Sequence, residues 1–220
     1  MPKRFDEDLT RLKKKLLAMG AVAEDMIHHA ITVLVERNED LLQEVYAAEE
    51  RLDEFQRSID DETVRLIAVY TPVATDLRTL LMITRINAEL ERIGDQADNV
   101  CRTCFAHLLR EPPLKPLVDL PRMAQIAQEQ VRTALNAFVE LSDDLAIRVV
   151  KRDEEVDAFY DQIFRELLTY MLSDPKSVSR ALALILIAKA FERVGDHAVN
   201  IAEDVVYVVR GEDIRHTDIS

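Results

Sequence analysis

The sequence predicts an all-α fold: two tandem, repeated three-helix bundles, six long helices in total. Three observations lead there. The 220 residues include only four glycines and seven prolines, no tryptophan, 48% hydrophobic and 31% charged residues, a composition suited to long helices and short of turn formers. Apolar residues recur at steps of three and four over long runs. Whole phrases also return at a near-constant offset. Leu52-Asp53-x-Phe55-x-x-x-Ile59 reappears 104 residues later as Val156-Asp157-x-Phe159-x-x-x-Ile163, and "ERIGDQADN", Glu91 to Asn99, reappears 101 residues later as "ERVGDHAVN", Glu192 to Asn200. The lost residues fall where "YTPVATDL" faces the shorter "MLSDPKSV", and turns absorb such length changes.

The first helix is expected over 5–36, where Leu12, Leu16, Met19, Ala23, Ile27, Ala30 and Leu34 make one apolar stripe. The second, 39–70, opens after Asn38 as its N-cap. The third, 75–109, follows a turn at Pro72 and carries the seam Ile83, Ile86, Leu90, Ile93, Ala97 and Val100. The proline-rich "REPPLKPLVDLPR" then reads as a linker at 111–117 between units 1–110 and 118–210, with a tail at 211–220. The fourth and fifth helices are expected over 118–140 and 143–172, the latter capped by Ser142. The sixth, 175–209, has Asp174 as cap and Pro175 in its first turn. Its seam, Leu184, Ile187, Phe191, Val194, Ala198 and Ile201, matches that of the third helix position by position.

A formal charge of −13, with Lys13-Lys14-Lys15 as the one basic run, speaks against nucleic acid as a partner. The N-terminal "MPKRFDEDLT" lacks an apolar signal core, no uninterrupted apolar stretch reaches the roughly 18 residues of a membrane span, and the longest candidate, "ALALILIAKAF", is too short. A soluble cytoplasmic protein without a membrane span is expected. Cys101 and Cys104 form a lone CxxC inside a helical pattern and read as two reduced helix cysteines.

The chemistry lies beside the seams. Glu49 with Asp53, Glu91 with Asp95, Asp153 with Asp157 and Glu192 with Asp196 are four acidic i, i+4 pairs, each on one helical face. Like charges at this spacing destabilise an isolated helix. In an antiparallel hairpin, residues at equal height are centred on the turn, and the first copy's two pairs are centred on Pro72, the second copy's on Asp174-Pro175. Each bundle should therefore hold four carboxylates side by side, about 30 Å from its hairpin turn at 1.5 Å per residue. Three explanations stand: a solvated acidic face, neutralisation by Arg92 and Arg193, or a hard cation such as Mg²⁺, Mn²⁺ or iron held by oxygen ligands alone. Gly94 and Gly195 sit within the acidic phrases, where a mid-helix glycine costs about 1 kcal/mol, so close helix approach or room for a ligand should offset the loss. Asn99 and Asn200, one turn further on, are candidates to orient the carboxylates. Histidine is not duplicated, and no repeated nucleophile with a nearby base appears, so an enzyme is not expected.

Duplicated three-helix units bearing E/D-x-x-x-D on their second and third helices, with "ERIGDQADN" and "ERVGDHAVN", resemble the PhoU family; "PVATDLR", Pro72 to Arg78, adds to the likeness. That resemblance covers nearly the whole chain. It implies a cytoplasmic, homodimeric negative regulator of phosphate uptake and phosphate-starvation signalling, linking the ATPase subunit of a phosphate ABC transporter to a sensor histidine kinase. It further implies metal, as an iron cluster or as manganese, magnesium or zinc, on Glu49, Asp53, Glu91, Asp95, Asp153, Asp157, Glu192 and Asp196. A carboxylate-bridged metalloenzyme and a metal-free helical adaptor are the alternatives. The second copy has "DPKSVSR" in place of "TPVATDLR", so contacts made by Asp76 and Arg78 would belong to one bundle only.

Overall fold

The computed structural model describes residues 3–211, and most of the tail expected at 211–220 lies outside them. Among the described residues there are six α-helices, a short 3-10 turn and no strand: α1 (Lys3–Glu36), α2 (Leu41–Tyr70), α3 (Ala74–His107), α4 (Asp119–Glu140), α5 (Asp143–Ser173) and α6 (Val178–Arg210), the turn being Pro175–Ser177. Every residue of the three expected stripes is buried, from Leu12 to Leu34 on α1, Ile83 to Val100 on α3 and Leu184 to Ile201 on α6. The periodic burial of these side chains explains why the helices form where they do, since packing of an apolar face supplies most helical stability.

The ends follow local chemistry, with two corrections. Ser142 caps α5 as expected, its hydroxyl accepting from the Leu145 amide at 3.3 Å. Asn38 does not cap α2: its side-chain oxygen accepts from the amide of Asp40 at 3.1 Å, closing a turn, and the helix starts later, at Leu41. Asp174 accepts from Lys176 at 2.9 Å, but Pro175 opens the 3-10 turn and α6 itself begins at Val178.

Helices α1 to α3 pack on one another, as do α4 to α6, yet both halves share one continuous core. Two antiparallel contacts join them. Along α3 and α6, Arg85 pairs with Asp204 at 2.7 Å and Glu89 meets both His197 (2.7 Å) and Asn200 (3.1 Å). Along α1 and α4, Arg132 pairs with Glu24 at 2.8 Å. Gly20 lets those two helices close up, for a Cβ there would lie 2.5 Å from Leu135 Cδ1. The linker is itself packed: Leu114 and Leu117 are half-buried, Lys115 pairs with Glu166, and Arg37 ties the end of α3 down by donating to the carbonyls of Leu108, Leu109 and Glu111.

Of the described helices, α1 has the length and mean hydropathy to cross a membrane, although it contains no uninterrupted apolar run of that length. Glu24 and Asp25 interrupt it, and its apolar stripe is committed to the core against α2, α3 and α4.

Candidate functional site

The α2/α3 hairpin turns at 71–73, and Asn87 fixes its register by donating to the carbonyl of Gln56 (3.0 Å) and the carboxylate of Asp60 (2.9 Å). That register brings Glu49 and Asp53 of α2 level with Glu91 and Asp95 of α3. Glu49, Asp53 and Glu91 are half-buried and Asp95 is exposed. Burial first, and then the neighbouring carboxylates, push Glu49, Glu91 and Asp95 above the ordinary carboxylate range: Glu91 feels Asp95 and Asp53, and Asp95 feels Asp53.

The α5/α6 hairpin repeats the device. Lys189 lies 5.4 Å from the ring centroid of Tyr160, which sets these two helices at matching heights. Asp153 and Glu192 are half-buried, while Asp157 and Asp196 are exposed. Burial, followed by the charges of Asp157 and Asp196, lifts Asp153 to about 6. Burial and Glu192 raise both Asp157 and Asp196. The four carboxylates expected in each half thus do face one another.

Their neutralisation differs from the arginine reading. Arg92 makes its ion pair with Glu89 at 3.5 Å and only partly offsets the rise of Glu91. The cations are Arg102, paired with Asp98 in the first half, and Lys189, paired with Glu192 in the second. Neither is duplicated, because Ala88 stands where Lys189 would be and Val199 where Asp98 would be. Asp98 is a fifth carboxylate of the first site, buried and coupled to Glu49 and Asp95. Comparing the copies could not find it.

The two glycines prove unequal. A Cβ at Gly94 would fall 2.3 Å from Leu52 Cδ2, so this glycine permits close helix approach. At Gly195 a Cβ would meet Gln130 Oε1 at 3.2 Å and Asp153 Oδ1 at 3.3 Å, so the space kept there belongs to the acidic site. The asparagines do not orient the E/D-x-x-x-D carboxylates as expected. Asn200 gives its amide to Glu89 across the halves, and Asn99 is exposed on the solvent side of α3. His197, discounted for lacking a duplicate, joins the halves through Glu89 and lies close enough to both Asp95 and Asp196 to lower their pKa values in part.

Among the described residues no group of three or more His, Cys, Asp or Glu side chains could hold a metal ion as it stands. The donor set is nonetheless all oxygen, as hard cations require. Buried oxygens at each site, Asp98 Oδ1 and Glu192 Oε2, have no hydrogen-bond partner. The residues fit such an ion in chemistry, and side-chain rotation would have to complete the geometry. Cys101 and Cys104 are free, buried and pushed up to about 12, chiefly by burial, so they are poor nucleophiles or ligands.

The family model described as PhoU domain matches residues 16–104 and again 120–205. A phosphate-specific transport system accessory protein PhoU homolog of Pseudomonas putida is 38% identical over 213 residues, 97% of this chain and 83% of the relative. The phosphate-specific transport system accessory protein PhoU of Escherichia coli K12 is 34% identical over 214 residues, 97% of this chain and 88% of the relative. The crystal structure of PhoU from Pseudomonas aeruginosa superposes with a TM-score of 0.91 at 38% identity, covering 94% of this chain and all of that one.

Proposed function

The chain belongs to the PhoU family, and from that membership we propose that it is a cytoplasmic accessory protein of phosphate transport. In this reading it represses the phosphate-starvation response when phosphate is plentiful, working as a homodimer that engages the transporter's ATPase subunit and a sensor histidine kinase. Its role is regulatory rather than catalytic, a reading supported by the description of its relatives as accessory proteins of phosphate transport.

The observation that carries the metal-holding part of the proposal is the doubled acidic hairpin, in which α2 with α3 and α5 with α6 each confront two E/D-x-x-x-D pairs, with Glu91 and Asp153 among the carboxylates pushed up by burial and by their acidic neighbours. A cation such as iron, manganese, magnesium or zinc would be held by Glu49, Asp53, Glu91 and Asp95 in one half and by Asp153, Asp157, Glu192 and Asp196 in the other. Bound there, it supplies the positive charge these groups lack and ties two helices of each half together. The metal-free adaptor is the second reading, favoured by the Lys189–Glu192 and Arg102–Asp98 pairs, which already offset part of the charge.

Two measurements test the proposal. Deleting the protein should switch on a phosphate-starvation reporter in phosphate-rich medium, and the wild-type chain should switch it off again. The ATPase subunit of the transporter should co-purify with the chain, to an extent that changes with phosphate. A silent reporter together with no co-purification in either condition would end this reading.

A further inference from the structure

The α5/α6 hairpin leaves an apolar stripe uncovered. Phe164, Leu168 and Leu172, spaced four apart on α5, are 42%, 43% and 79% exposed, and Val178, Leu182 and Leu186, spaced four apart on α6, are 41%, 50% and 52% exposed. In the register set by Tyr160 and Lys189, Leu172 stands level with Val178, Leu168 with Leu182 and Phe164 with Leu186. Six side chains therefore form one patch running from the hairpin tip toward the second acidic site. The repeat does not produce it as a by-product. The first copy has Asp60, Val64, Ala68, Leu77, Leu81 and Arg85 at the equivalent positions, and there Asp60 accepts from Asn87 while Arg85 pairs with Asp204.

Summed over the six side chains, the open apolar surface is roughly 600 Å², the upper end of what a monomer leaves uncovered. It makes up most of the roughly 800 Å² that each partner contributes to a stable dimer. The rim is polar: Lys176 lies beside Asp174 at the tip, Asp161 pairs with Arg165 midway at 3.6 Å, and Asp157, Glu192 and Asp196 lie at the far end.

We propose that this face is the contact between two copies of the chain, related by a two-fold axis passing near Leu168 and Leu182. This sharpens the homodimer reading above and rests on it. Antiparallel docking places Phe164 and Leu186 of one copy on Leu172 and Val178 of the other, a self-complementary arrangement. It also matches charge. Lys176, six residues from Leu182, lies about 9 Å beyond the axis and Asp161, seven residues from Leu168, about 10 Å short of it, counted at 1.5 Å per residue, so Lys176 of each copy meets Asp161 of the other.

Sedimentation velocity of the full-length chain should show a dimer at micromolar concentration. L168E and L182E should each be monomeric with unchanged helix content, and K176E should loosen the dimer several-fold. Cys101 and Cys104 are buried, so an added surface cysteine reports cleanly: L168C should crosslink copies under mild oxidation, whereas V69C, exposed on α2, should not. A wild-type chain that stays monomeric would overturn both this face and the homodimer. A dimer that survives L168E and L182E, with no L168C crosslink, would overturn the face alone and leave the homodimer standing.

Discussion

Gln130 stands beneath Gly195 in the place that Met26 holds beneath Gly94: the glycine Cβ positions lie 3.2 Å from Gln130 Oε1 and 3.5 Å from Met26 Sδ. The two residues are equivalent in the repeat, so one acidic site has an amide floor and the other a thioether floor. Gln130 is buried, and its bond to Asp153 holds that carboxyl below where burial alone would take it. Q130M should therefore move the Asp153 midpoint upward from about 6, read by NMR titration. M26Q should destabilise the fold by about 1–3 kcal/mol in urea unfolding, because the new amide finds no partner among Leu52 and its neighbours.

Stability should fall as pH rises through the range of Asp153. The folded pKa of about 6 exceeds the ordinary 3.8, so between these values the folded chain binds more protons than the unfolded one and loses stability with each step up in pH. Glu49, Glu91, Asp95, Asp157 and Asp196 are raised as well and act in the same direction. D153N should raise Tm at pH 7.5 in the absence of metal, and that gain should vanish at pH 4. A flat Tm difference across this range would contradict the assignment.

Adding Mn²⁺ or Fe²⁺ to metal-free protein at pH 7.5 should raise Tm, and a chelator should reverse the rise. At pH 5 the rise should shrink, because the raised carboxylates must shed protons before they can bind. The double variant D153N/D196N should abolish the second half's share, seen as a lower metal stoichiometry by elemental analysis. If no divalent ion moves Tm, the metal-free adaptor is the better description.

G94A and G195A should separate. At Gly94 the new methyl would require the buried Leu52 side chain to move, an overpacking cost of about 1–3 kcal/mol that exceeds the gain in helix propensity. At Gly195 the neighbours need give only a few tenths of an ångström. Stability there should change little, while metal uptake by the second half falls. Chemical denaturation of the two variants, with and without metal, checks both statements.

E89A should cost about 1–3 kcal/mol, because Glu89 is largely buried and its loss strips partners from His197 and Asn200. Burial works to raise Glu89, but the bonds from His197 and Asn200 prevail and hold it below the ordinary carboxylate range. Its contribution is thus present at neutral pH and fades as pH falls through that lowered value. The gap in urea midpoint between wild type and E89A should narrow in acid.

The fold was legible because the signals were redundant. Each seam residue of α3 has an apolar counterpart on α6, and the caps and prolines punctuate the same periods. The E/D-x-x-x-D pairs were legible for a related reason, since antiparallel geometry converts matching distances from a turn into matching heights. What stayed hidden is whatever breaks the duplication. Asp98, Lys189, Gln130 and His197 have Val199, Ala88, Met26 and Gln96 as counterparts, so comparing the copies marks them as incidental. Gln130 and His197 act on side chains of other helices, Asp153 on α5 and Glu89 on α3, whereas Asp98 and Lys189 find Arg102 and Glu192 within their own.

The seam between α3 and α6, with Gly20 drawing α1 onto α4, has a mechanical consequence. Among the described residues the duplicated units share one core, and parting them would tear open a common interior. If the chain reports on phosphate as proposed, the shared core favours a block that offers or withholds an outer surface over two lobes swinging apart.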